Sequence, residues 1–320
     1  MSLEKKVWGR DPHFLFRIAF LLFGSALLVG QPAYPQQLPP AEEPAGTLRV
    51  NVDLVNLFFT VADGKNLITT LNREDFQVDE DNRQQEILRF SREVTLPLTL
   101  AILVDSSPSV EPIMGLEKQT AIEFLHNVLR KEDLAMIMNF DRSVNLLQDF
   151  TAQIGLLEKG IKSIRIGGGT SIHDAVFLAC DEKLKYEAGR KAIILISDGS
   201  DTTSKLKMRE AMEAAQKADV IIYAISDRAG GSFYTAYERD DDTLKRYAES
   251  TGGRAFFPSK PQDLKKAFND IQEELRSQYS LAYSSTNLAR DGSYRMVKVS
   301  VPAQKNLKVR VRKGYYAPRS

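Results

Sequence analysis

One cysteine, three histidines and one tryptophan stand among 320 residues, and each scarcity closes off some chemistry. Cys180 alone cannot form an internal disulfide, a thiolate zinc site or a redox pair. It falls in a helical apolar pattern with Ala175, Val176, Leu178 and Ala179, so a buried, inert thiol is expected. No Gly-x-Ser-x-Gly elbow is present, and without one a serine hydrolase has no nucleophile turn. Of the histidines, His13 lies in the leading segment and His126 in an amphipathic helical pattern; His173 is expected as a structural or loop-contact residue. An excess of charge is also missing. The 43 basic side chains nearly cancel the 42 acidic ones, which argues against a nucleic-acid partner.

Long apolar runs are missing too. Lys5, Lys6, Arg10 and Arg17 precede the apolar stretch Ile18–Val29, which closes on Gly30. A positive start, a short apolar middle and small residues near its end form the layout of a secretory signal. The uncharged run is shorter than the ~20 residues that span a bilayer comfortably. Residues 1–30 are therefore expected to be a signal peptide or, if uncleaved, an N-terminal anchor, which is then the membrane contact. Either way the rest of the chain is placed outside the cytoplasm, periplasmic or secreted. Residues 31–46 hold five prolines and few large apolar side chains, the composition of an extended linker.

What is present is patterned. Over 47–95, Leu48, Val50, Val52 and Leu54 alternate with polar residues, and Phe76–Val78 and Ile87–Phe90 flank a polar stretch. This period of two predicts a small antiparallel β unit. Over 96–276 the style changes. Leu98–Val104 is a continuous apolar run, as a strand buried on both faces requires. Leu134–Phe140, Ala192–Ile196 and Val220–Ile225 repeat it, with helical periods between them, including one over 172–187. Strands alternating with helices predict an α/β fold, a doubly wound, mostly parallel sheet. Over 277–320 alternation returns in Tyr279, Leu281, Tyr283, then Val297, Val299, Val301, then Leu307, Val309, Val311. These C-terminal strands are expected to complete the N-terminal β unit, with the α/β domain inserted between. Lys308, Arg310 and Arg312 share one face of the last strand, expected to be solvated.

The candidate site gathers at strand ends. Asp105, Ser107 and Ser109 follow the first buried strand directly, Thr170 closes the loop Gly167-Gly168-Gly169, and Asp198 follows the strand Ala192–Ile196. Open α/β sheets place ligands at the carboxyl ends of their strands. Carboxylates and hydroxyls are hard oxygen donors suited to magnesium. The glycine loop lacks the Lys-Ser/Thr of a phosphate-binding P-loop.

In this order and on this pattern, Asp105-x-Ser107-x-Ser109, Thr170 and Asp198 resemble the metal-ion-dependent adhesion site of von Willebrand factor A domains, over residues 96–276. The resemblance implies a six-stranded Rossmann-like sheet with one antiparallel edge strand, at Val144–Asp149. It implies Mg2+, with Mn2+ or Ca2+ as alternatives, held directly or through water by those five residues. The implied partner is a protein presenting a Glu or Asp side chain to the metal. Asn51–Val55, Glu74-Asp75-Phe76 and Gly314–Pro318 resemble the flanks of bacterial exported proteins with VWFA-related domains. The expected role is therefore binding, not catalysis. Two alternatives stand beside it. A phosphatase using Asp105 as nucleophile needs an acid two residues later, where Ser107 stands; a structural envelope protein would make no use of metal.

Overall fold

Every side chain of the strand Leu98–Asp105 is buried, because helices cover both faces of the sheet it belongs to. In the computed structural model, which describes residues 54–92, 96–227 and 238–319, the chain first lays down five strands. These are β1 (Leu54–Asp63), β2 (Asn66–Leu67), β3 (Gln77–Glu80), β4 (Arg83–Gln85) and β5 (Ile87–Ser91). Asp81 and Asn82 turn between β3 and β4 with φ of 49° and 63°, a left-handed pair that these two residue types tolerate best after glycine. The α/β unit follows: β6 (Leu98–Asp105), α1 (Met114–Val128), β7 (Leu134–Phe140), β8 (Val144–Thr151), α2 (Ile154–Ser163), α3 (Ile172–Leu178), β9 (Arg190–Ile196), α4 (Met208–Lys217), β10 (Val220–Ile225), α5 (Glu238–Thr251), β11 (Ala255–Phe256) and α6 (Pro261–Arg276). The tail adds β12 (Tyr279–Ser284), β13 (Tyr294–Ser300), β14 (Lys308–Arg310) and β15 (Gly314–Tyr316). Residues 1–53, which contain the expected export segment, the proline-rich linker and the start of the first alternating run, lie outside the described residues. Among the described residues no helix is long and apolar enough to cross a membrane.

The central sheet of described strands runs β11-β10-β9-β6-β7-β8. Its pairings are parallel except the edge strand β8, which runs antiparallel to β7. Two apolar layers cover it. Leu100, Ile102 and Val104 point into one with Phe124, Leu125 and Phe268; Ala101 and Leu103 point into the other with Ala175, Val176 and Ala211. The helical period over 172–187 does not stay α-helical. After α3 the chain makes a π turn, Ala179–Lys183, and a 3-10 turn, Leu184–Tyr186. Cys180 is buried inside this stretch.

Strands from both ends of the chain build the second unit. One sheet runs β14-β1-β12-β5 with β2 on β1, the other β15-β13-β3-β4. β1 pairs antiparallel with β12, Phe59 opposite Tyr279, and β3 with β13, Val78 opposite Val299. In β13 the alternation is complete: Arg295, Val297 and Val299 are buried while Tyr294, Met296 and Lys298 are exposed. The inward residues of both sheets share one core with Leu57, Phe59, Val78, Tyr279, Leu281 and Tyr283. Where the chain passes into the α/β unit and out of it, one side chain holds both crossings. Arg190, 7% exposed, donates to Leu96 O at 3.1 Å and to Leu275 O at 2.6 Å.

The basic face formed by β14 and the residues that follow it differs from expectation. Lys308 is exposed, but the side chains of Arg310 and Arg312 are only 15% and 12% exposed. Arg310 pairs with Glu274 of α6 at 3.1 Å, and Arg312 with Asp219 at 2.7 Å and with Asn56 O at 2.8 Å. The face meets the α/β unit, whose acidic groups neutralise it, instead of meeting solvent.

Glu80 concentrates the bonding between the two ends of the chain. It is 2% exposed and accepts from Tyr283 Oη at 2.8 Å, Tyr315 Oη at 2.9 Å and Ser285 Oγ at 2.5 Å. Arg295 Nη1 lies 3.5 Å away. Each partner comes from the C-terminal strands or their connections. Glu80→Ala leaves the buried Arg295 without its counter-charge and two buried phenols without their acceptor, and should destabilise the protein by about 3–5 kcal/mol; equilibrium urea unfolding measures it.

Candidate metal centre

β6 and β9 lie in parallel register with Val104 opposite Ile196, so both strands release the chain at one edge of the sheet. β10 ends at the same edge, Ile225 opposite Ile196. Each strand end carries an acid there: Asp105, then Ser197-Asp198, then Ser226-Asp227. The Asp105 side chain is 0% exposed and fixed through both oxygens. Ser107 N donates to Oδ1 at 2.8 Å and Ser197 Oγ donates to Oδ2 at 2.7 Å. Pro108 opens a single 3-10 turn, Pro108–Val110, which folds the Ser109 hydroxyl back to 2.9 Å from that of Ser107. On Asp198, Oδ1 accepts from Ser200 N at 2.9 Å.

The glycine loop joins this edge through its backbone. Gly167 N donates to Ser106 O at 2.8 Å, tying the loop to the residue after Asp105. Gly169 has φ of +81°, and a Cβ there would stand 2.9 Å from Thr203 Cγ2; glycine takes this backbone without strain and leaves that space free. Thr170 is then zipped to the loop that follows Asp198. Its N–H donates to Thr202 Oγ1 at 2.9 Å, and its carbonyl accepts from Thr202 N at 2.9 Å and Thr203 N at 3.0 Å. The loops carrying Asp105, Thr170 and Asp198 are thus stitched to one another at one rim of the sheet. Ser197 and Thr202, absent from the five-residue pattern, do much of the stitching.

The neighbouring histidine is structural. His173 Nδ1 lies 2.9 Å from Tyr247 Oη, and its backbone N–H donates to Asp201 Oδ2 at 3.1 Å. Burial lowers its pKa against the pull of Asp201 and Asp174. Asp174 accepts from Lys205 N at 3.0 Å and Leu206 N at 2.9 Å, holding the same loop from behind.

Behind the rim sit two carboxyl groups that the motif does not include. Glu117 on α1 is 1% exposed and Asp227 after β10 is 5% exposed. Neither oxygen of Glu117 has a hydrogen-bond partner, nor has Oδ2 of Asp227. Burial is the largest cause raising both pKa values; the Asp105 charge adds to the first, and those of Glu117, Asp105 and Asp198 to the second. Burial likewise raises Asp105 from 3.8 to about 6, against hydrogen bonds from Ser107 and Ser197 that lower it and with the Asp198 charge raising it further. The side-chain charges acting on these three groups are all carboxylates. Among the described residues no three His, Cys, Asp or Glu side chains are gathered closely enough to hold an ion by themselves, so hydroxyls have to supply part of any shell. Hard oxygens among carboxyl groups that burial makes costly to ionise fit a divalent cation, which would supply the missing counter-charge.

Residues 100–200 match the family model of the von Willebrand factor type A domain. Over that stretch, from β6 to the turn after β9, the chain is similar to a von Willebrand factor type A domain. No curated protein matches the chain. Among solved structures, the domain is similar to the vWF domain of the type V pili tip protein Mfa5 from Porphyromonas gingivalis, at 16% identity over 57% of this chain and 96% of that one, TM-score 0.46. BatB from Bacteroides thetaiotaomicron matches at 18% identity over 56% of this chain and 100% of that one, TM-score 0.45. Proximal thread matrix protein 1 of the mussel byssus, solved with a zinc-occupied MIDAS motif, matches at 18% identity over 61% of this chain and 49% of that one, TM-score 0.49.

The raised Asp105 pKa contributes a pH dependence to the stability of the α/β unit when no cation is present. The unfolded chain loses this proton near pH 3.8 and the folded chain near pH 6, so in that window the folded state binds more protons and stability falls as pH rises. The Asp105 share is about 3 kcal/mol, lost between pH 4 and 6, and Glu117, shifted in the same direction, carries the decline further. Unfolding in chelator at pH 4, 5, 6 and 7 should show this component, and Asp105→Asn should remove it.

Proposed function

We propose that the rim formed by Asp105, Ser107, Ser109, Thr170 and Asp198 binds a divalent cation, Mg2+ foremost, and presents it to an acidic side chain of a protein partner outside the cytoplasm. The observation that carries this reading is the fully buried Asp105 carboxylate, held beside the paired Ser107 and Ser109 hydroxyls and within reach of the Asp198 charge. Magnesium prefers six oxygens and keeps several waters, which a set of two carboxylates and three hydroxyls leaves room for. When bound, the ion supplies an electrophilic position. Because three of the five side chains are neutral, they offset its charge only in part, and an incoming Glu or Asp completes the compensation.

The chain's own residues do the rest. Asp105 anchors from below the rim, Ser197 orients it, and the hydrogen bonds of Thr170 to Thr202 and Thr203 fix the far side of the opening. The role is binding: His173 is engaged with Tyr247, and Ser107 stands where a phosphatase of the Asp-nucleophile type needs its general acid. Export follows from the leading segment, read from sequence.

Titrating Mg2+ into metal-stripped full-length protein should raise its stability by about 2.7 kcal/mol at a hundredfold excess over Kd, read by thermal or urea unfolding. Asp105→Ala should abolish the gain, and capture of a partner from envelope extracts should be lost both in that variant and in excess chelator. Absence of any shift with Mg2+, Mn2+ and Ca2+ overturns the proposal.

A further inference from the structure

Glu117 occupies an odd position for a carboxylate. On α1 it lies on the face that also presents Ala121, Phe124, Leu125 and Val128 to the sheet, and it is as buried as they are. Placing a carboxyl group there with neither oxygen hydrogen-bonded is costly, and such groups in a native fold call for an explanation. Asp227 repeats the anomaly from the next strand end, with Oδ2 unpartnered. Asp227 closes β10 at the edge where β9 releases Asp198 and β6 ends on Asp105, and the charges of Glu117, Asp105 and Asp198 bear on it, as that of Asp105 does on Glu117. No hydrogen bond to Arg, Lys or His relieves Glu117, and the side chains that act on it are themselves acidic. A hydrophobic residue at 117 would fit the helix face better, so the carboxylate serves something other than the packing of α1.

We infer that Glu117 and Asp227 form an acidic inner wall behind the divalent-cation site, compensating the charge of the ion and accepting hydrogen bonds from its water ligands without ligating it. The inference rests on the metal-binding reading of the rim. It goes beyond the five-residue pattern by assigning two residues that set how tightly the ion is held. The absence of a close trio of acidic side chains among the described residues agrees with a role one layer back. So does the availability of three bare oxygens, on two side chains from α1 and the end of β10. Outer-layer partners of this kind typically govern metal affinity by about 10–100-fold. Buried carboxyl groups without partners are costly to the metal-free protein, so the wall favours the bound state twice: it attracts the ion and it destabilises the empty site.

The test is calorimetric titration of Mg2+, and of Mn2+ where Mg2+ heats are small, into metal-stripped full-length protein and its Glu117→Gln and Asp227→Asn variants. Both substitutions keep size and remove the charge. The inference expects each variant to bind at least tenfold more weakly while its metal-free melting temperature is equal to or above that of the unsubstituted protein. Asp105→Asn serves as the reference for loss of a ligand. If the unsubstituted protein binds neither ion, the metal-binding reading itself fails, and the wall with it. If it binds and both variants stay within threefold of its affinity, the rim is a metal site but the wall is wrong. Weaker binding accompanied by a lowered metal-free melting temperature in both variants also overturns it, since that is the signature of a packing role.

Discussion

A parallel sheet delivers the carboxyl ends of neighbouring strands to one edge, and in this molecule that edge collects acid. β6, β9 and β10 are adjacent and end level with one another, so Asp105, Asp198 and Asp227 arrive together because the strands do. Burial on both faces then removes the water that would screen them. Like charges in a poorly solvated place repel strongly, and the surrounding structure answers with donors: backbone N–H groups of residues 107 and 200 and the Ser197 hydroxyl. Those donors satisfy the front of the cluster. They do not reach Glu117, whose two oxygens have no hydrogen-bond partner.

Much of the α/β unit was legible because its strands are apolar on both sides. A run such as Leu98–Val104 has few other uses in a chain of this size, and the edge strand at Val144 was placed through a family likeness. Other features were less legible. The period over 172–187 reads as one helix, yet the backbone widens into a π turn beside Cys180 and then tightens; no residue type in that stretch announces it. Arg310 and Arg312 alternate as any exposed strand face does. Their partners, Glu274 and Asp219, lie far away in sequence, and pairing at that distance is invisible to a local pattern.

The rim follows the same rule. Asp105, Ser107, Ser109, Thr170 and Asp198 announce themselves by standing at strand and loop ends. Glu117 and Asp227 each leave a trace in the sequence. Glu117 breaks an apolar helical stripe at a position four residues before Ala121, and Ser226-Asp227 repeats the strand-then-acid arrangement of Ser197-Asp198. Both become conspicuous only once the structure shows these side chains buried with oxygens that have no hydrogen-bond partner. Ser197 and Thr202 carry no such mark, since serine and threonine beside a turn are ordinary.

The double crossing held by Arg190 has a consequence for how the molecule comes together. Leu71 and the Tyr279 hydroxyl that it bonds are 208 residues apart in sequence, a span whose closure in an open chain is entropically expensive and slow. Once the inserted unit has folded, residues 96 and 275 are bridged by a single guanidinium, and that long loop shrinks to a short one. Closing the inserted unit thus lowers the entropic cost of bringing the leading strands to their C-terminal mates, so the stability of the two β sheets depends on the soundness of the unit inserted between their strands.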